Sequence, residues 1–93
     1  MTVIHTVLMR FDDAAAADET VRLLRRADEI DVVRRLRVGR NLSSVASSYD
    51  VGLVIELDSL EDLAVYLAHP LHEAASEYSR PRRTAIASCD IEA

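Results

Sequence analysis

Apolar residues recur along the chain with two different periods. Residues 2–11, TVIHTVLMRF, alternate with a period of two and are rich in β-branched side chains, which predicts a strand. Val3, His5, Val7, Met9 and Phe11 share one face; Thr2, Ile4, Thr6, Leu8 and Arg10 share the other. Apolar residues on both faces predict a strand covered on both sides. Asp12-Asp13 then opens a polar turn. Over 14–30 the period lengthens: Ala14, Ala17, Val21 and Leu24 stand at helical spacing with charges between them. Asp18 and Glu19 fall near the first turns, where the helix dipole favours negative charge.

Residues 32–41, VVRRLRVGRN, read as a second strand, with Val32, Leu36 and Val38 on one face and Arg35, Arg37 and Asn41 on the other. The small polar stretch 42–48 reads as a loop. Residues 49–58, YDVGLVIELD, carry the clearest alternation and predict the third strand. Ser59 is placed to cap the next helix, with Asp62 three residues on in an approximate capping box. Leu60, Leu63, Leu67 and Leu71 form a stripe at helical spacing, continued by Ala74 and Tyr78, and Pro81 ends that region. Residues 84–91, TAIASCDI, read as the last strand. The order strand, helix, strand, strand, helix, strand predicts an α+β, ferredoxin-like βαββαβ fold over residues 1–93 as one domain. Its helices would cover one face of an antiparallel sheet. The other face carries Ile4 and Leu8 and needs a cover, and the simplest cover is the same face of a second copy. A homodimer is therefore the expected partnership.

Charge narrows the classes of partner. The net charge is −5, and all eleven basic residues are arginine. An acidic chain is a poor nucleic-acid binder, so the arginines at 35, 37 and 40 read as a solvated strand face. No apolar run approaches the ~20 residues that cross a membrane, and the N-terminus lacks a signal-peptide pattern, so cytoplasmic residence is expected. Cys89 is alone and reads as a small buried hydrophobe. The three histidines lack metal-ligand spacing, so neither a metal nor a cofactor is expected.

One dipeptide changes the second helix. Proline disfavours helical geometry in the residue before it and is at home at a helix start. The helix is therefore expected to break at His69 and restart at Pro70, with His69 serving that junction or contacting a ligand. The break matters for geometry. On an unbroken helix, six residues turn the chain by roughly 240°, so Tyr66 and His72 would face apart.

His5 in the first strand, Gly39-Arg40-Asn41, Tyr49-Asp50 and the run Tyr66-Leu67-Ala68-His69-Pro70-Leu71-His72 together resemble the stress-responsive dimeric α/β-barrel (Dabb) domain. The resemblance covers nearly the whole chain. It implies a ferredoxin-like subunit and a dimeric barrel. It does not imply one activity, because the family spans stress-associated proteins and a polyketide cyclase. In cyclase members the residues matching Tyr66, His72 and His5 line a cavity between helices and sheet. If this chain is an enzyme, that resemblance makes His72 the general base and Tyr66 the donor to a developing oxyanion. His5 alone is read sooner as a satisfied core histidine than as a catalytic one, and its company with Tyr66 and His72 favours a polar pocket. The expected cavity is aliphatic, with Val7, Met9 and Leu24 joining His5, Tyr66, His69 and His72 as ligand contacts. The expected function is binding of a small apolar or aromatic metabolite. The alternatives are a cyclase, lyase or isomerase, and a structural, stress-protective module without a ligand.

Overall fold

The computed structural model describes residues 1–93. Its elements are β1 (Val3–Phe11), α1 (Ala14–Arg25), a 3-10 turn (Arg26–Glu29), β2 (Arg35–Arg40), β3 (Val51–Leu57), α2 (Leu60–Ala68), α3 (Pro70–Ser79) and β4 (Arg83–Glu92). The strands form one antiparallel sheet in the order β2-β3-β1-β4. This is the ferredoxin-like α+β arrangement. β1 and β3 take the centre because their alternation is strongest. Val3, His5, Val7 and Met9 lie opposite Leu57, Ile55, Leu53 and Val51 across the ladder, and all eight are buried under the helices. Ala17, Val21 and Leu24 of α1 and Leu63 and Tyr66 of α2 close that core from above.

Several elements differ from their sequence-based bounds, each for a local reason. The first helix stops at Arg25, not 30. The Arg26 N–H bonds back to the Leu23 and Leu24 carbonyls, and the tighter 3-10 turn that follows brings Ala27 and Ile30 into the core. β2 begins at Arg35 because Val32 and Val33 lie before the strand, with the Val33 N–H closed onto the Ile30 carbonyl at 3.0 Å. β3 begins at Val51. Asp50 is used at the end of β1, where its carboxylate accepts the Phe11 N–H at 2.7 Å, while Arg10 stacks over the Tyr49 ring at 4.5 Å.

The leucine stripe also shifts. Leu60 and Leu67 are exposed, and the buried positions are Leu63, Tyr66, Ala75 and Ser79. The break at His69 resets the helical phase, so one stripe drawn across it cannot describe both segments. Cys89 is exposed. It lies opposite Thr6 on the sheet face that the helices leave open, which explains why an apolar neighbourhood in sequence did not bury it.

Candidate functional site

The site is built at the joint between α2 and α3. The Ser59 hydroxyl accepts the Asp62 N–H at 3.0 Å and starts α2. Ahead of Pro70, His69 leaves helical geometry with ψ at 140°, so α2 ends at Ala68. The same histidine starts α3: its Nδ1 accepts the Leu71 N–H at 3.1 Å, with Pro70 in the first turn. The restarted helix turns His72 back toward Tyr66. Their ring centroids stand 4.9 Å apart in an edge-on arrangement. Tyr66 also meets His5 edge-on at 5.8 Å.

The polar atoms of the three side chains are satisfied unequally. His5 is buried, and its Nδ1 is bonded to the Asp90 carboxylate opposite it on β4. That contact orients the ring and, in the neutral form, leaves Nε2 as the accepting nitrogen. The Tyr66 hydroxyl and His72 Nδ1 are buried without a hydrogen-bond partner. A buried polar group left unpaired costs about 1–3 kcal/mol, so two on neighbouring rings are an unusual expense for a small core. Burial drives the Tyr66 phenol well above its usual range, so it remains a protonated donor. Burial also lowers the His72 imidazole, aided by the nearby His5. The Leu67 backbone, near enough to favour the protonated ring although it does not meet hydrogen-bond geometry with Nδ1, and Glu73 pull in the opposite direction.

These groups share a cavity of about 200 Å³. His5, Val7 and Met9 of β1 and Leu53 of β3 form its floor, Leu24 comes from α1, and Tyr66, Leu67, His72 and Ser76 come from the broken helix. Arg83, Ile86 and Ser88 of β4 complete it. Leu67, Ile86 and Ser88 are exposed, so the cavity opens between the helix joint and β4. Of the seven expected contacts, six line it: His5, Val7, Met9, Leu24, Tyr66 and His72. His69 does not. Its ring is committed to the Leu71 N–H, and its role is to cap a helix.

Arg83 was not legible as a site residue. Counting back from Ile86 by strict alternation puts it on the opposite face of the sheet. A register shift between Arg10 and Phe11 corrects the count: Arg10 lies opposite Ala85, but Phe11 lies opposite Arg83. Thr84 is the extra residue, and the bulge turns Arg83 toward the helix side. A larger groove of about 550 Å³ lies among Leu8, Arg37, Arg40, Tyr49 and Val54, but it holds none of the buried histidine and tyrosine groups. No three His, Cys, Asp or Glu side chains are grouped to hold a metal ion. No helix is long and apolar enough to cross a membrane.

Residues 3–93 match the family model described as the stress responsive A/B barrel domain, Dabb. The chain belongs to the Dabb family. No curated protein matches it. Among solved structures, this Dabb chain is similar to a dimeric ferredoxin-like protein of unknown function from Thermobifida fusca. That pair shares 23% identity over 100% of this chain and 92% of the other, with a TM-score of 0.89. A dimeric protein of unknown function from Bacteroides fragilis shares 25% identity over 99% and 96%, with a TM-score of 0.87. A hydroxynitrile lyase from Passiflora edulis shares 14% over 97% and 91%, with a TM-score of 0.80. At that identity the lyase testifies to the fold alone.

Proposed function

We propose that this Dabb protein is a homodimer that binds a small apolar molecule carrying a carbonyl or hydroxyl oxygen. One observation carries the reading: the Tyr66 hydroxyl and His72 Nδ1 are buried, unpaired and side by side on the wall of one cavity. Tyr66 has no surface open to water, so a side-chain shift that opens the joint to the cavity is needed before a ligand oxygen accepts from the phenol and its hydroxyl, or a bridging water, meets the imidazole. Val7, Met9, Leu24, Leu53, Leu67 and Ile86 give the lining an apolar side that suits an apolar body. The homodimer is supported by the dimeric relatives and by the uncovered sheet face around Ile4, Leu8 and Ile91.

Thermal unfolding with a panel of small aromatic and aliphatic carbonyl compounds tests the binding reading. A ligand bound only by the folded state stabilises it by roughly 2.7 kcal/mol at one hundred times its Kd. Tyr66→Phe is expected to melt higher than the unmodified protein, because it removes an unpaired buried hydroxyl worth about 1 kcal/mol. The same variant should lose most of the ligand-induced shift. An absence of any shift across the panel, with Tyr66→Phe melting lower, points instead to a structural, stress-protective module.

A second reading has its own observation. A His72 pKa below the ordinary imidazole value keeps the ring neutral near pH 7, which suits a general base beside a phenol donor. Under that reading the protein is a lyase, isomerase or cyclase. His72→Ala would then abolish turnover while leaving the fold and the dimer intact.

A further inference from the structure

Arg83 gives the cavity a chemical preference that Tyr66 and His72 do not. We propose that the ligand is a small monocarboxylic acid whose carboxylate is held by Arg83 while its apolar body fills the cavity. This deepens the binding function proposed above and rests on it.

Four observations converge. Arg83 is the one arginine, aspartate or glutamate among the residues lining the cavity. It forms no ion pair, as is also true of Arg10, Arg25, Arg37, Arg80 and Arg82, so its guanidinium is not already neutralised by a carboxylate as those of Arg22, Arg26, Arg34, Arg35 and Arg40 are. It is held in place: one Nη1 bond reaches the Ser79 hydroxyl at 3.2 Å, and Ser79 is fully buried and itself bonded to the Ser76 carbonyl. The β-bulge at Thr84 directs it inward.

A guanidinium has five N–H donors, and one is spent on Ser79. The Nε and Nη2 edge is left as a fork, the geometry that grips a carboxylate through two parallel bonds. A phosphate ester would bring a second charge and further oxygens, for which the cavity offers no second cation. The nearby carboxylates are occupied or lie elsewhere. Asp90 is bonded to His5, and Glu73 and Glu77 line an adjoining depression that shares Leu67, His72 and Ser76 with the cavity and also holds Arg80, bonded to the Ser76 hydroxyl. At about 200 Å³ the cavity is below the roughly 300–1,000 Å³ of drug-sized sites, which limits the acid to a small one.

Matched probes separate the charge from the apolar body. Hexanoate, benzoate and 3-phenylpropionate, each beside its primary amide, are titrated into the isotope-labelled protein and followed by amide NMR shifts. The acids are expected to bind at least tenfold more tightly than their amides, with shifts centred on His72, Arg83 and Ser88. Arg83→Gln should erase that preference, bringing the affinity of each acid down to that of its amide. Arg83→Lys keeps the charge without the fork and should retain only part of the preference, and it carries the test if Arg83→Gln does not fold. Equal binding of acids and amides, or a preference that survives Arg83→Gln, overturns the carboxylate assignment. The cavity reading then still stands if Tyr66→Phe weakens the amides. Cavity residues that do not respond to any probe overturn both.

Discussion

Three histidines in one short chain do three different things, and the difference lies in what each ring nitrogen meets. His69 gives its Nδ1 to the Leu71 N–H. His5 places its Nδ1 against Asp90. His72 keeps a buried nitrogen unmatched. The unmatched nitrogen of His72 carries a consequence for pH. Desolvation holds the folded His72 below its ordinary value of 6.5, so the unfolded chain takes up the proton first as pH falls. Between the folded value and 6.5 the unfolded state binds more protons. Stability contributed by neutral His72 is therefore complete above 6.5 and is lost as pH falls through that window. Urea unfolding at about pH 7.5 and about pH 5.5 should show a lower midpoint at the acid condition. The drop should be smaller in His72→Gln, which has no ring to titrate. An equal drop in both proteins would assign the acid sensitivity to other groups.

Two local irregularities, not the regular elements, assemble the site. The first is the helix break at His69-Pro70, which cancels the angular mismatch between Tyr66 and His72. The second is the bulge at Thr84, which reverses the face of Arg83. The break was legible because proline constrains its neighbour through sterics that hold in any context. The bulge was not, because an unpaired residue is defined by the ladder opposite it, and Thr84 is an ordinary strand residue. If His69 only caps α3, His69→Ala should destabilise the protein by about 1 kcal/mol through the lost cap. His69→Asn, which can still accept the Leu71 N–H, should recover most of that. Chemical denaturation of the two variants checks the stability. Their ligand affinities should match the unmodified protein, and a loss of affinity in both would return His69 to the binding set.

At the scale of the molecule, the helices cover one face of the sheet and leave the other open. Ile4, Thr6, Leu8 and Val54 lie on that face with Ala87, Cys89 and Ile91 of β4. Leu8 is 38% exposed and Ile91 53% exposed, a loss of burial that a second copy would recover. A charge at its centre opposes that pairing. Sedimentation should give twice the chain mass for the unmodified protein and the chain mass for Leu8→Asp. A stable monomer in the unmodified protein would remove the dimer from the proposal. The cavity beside Tyr66 and His72 lies on the opposite side of the sheet, so Leu8→Asp tests the assembly without touching its lining.

The sequence by itself determined the order of elements and the face of each central strand. The period-two alternation of β1 and β3 allows only one set of side chains to reach the core, and Pro70 dictates a break wherever it is placed. It also brought together His5, Tyr66 and His72, through a resemblance that the family match bears out. Only the tertiary structure decided what those groups do. Whether a histidine is satisfied depends on partners far along the chain, as Asp90 is for His5 across β4. Whether an arginine faces a cavity or solvent depends on one extra residue in a ladder, as at Thr84. Whether Cys89 is buried depends on which side of the sheet the helices occupy. Periodicity is local and is written in the chain, whereas hydrogen-bond satisfaction, register and coverage belong to pairs of segments and appear only when those segments meet.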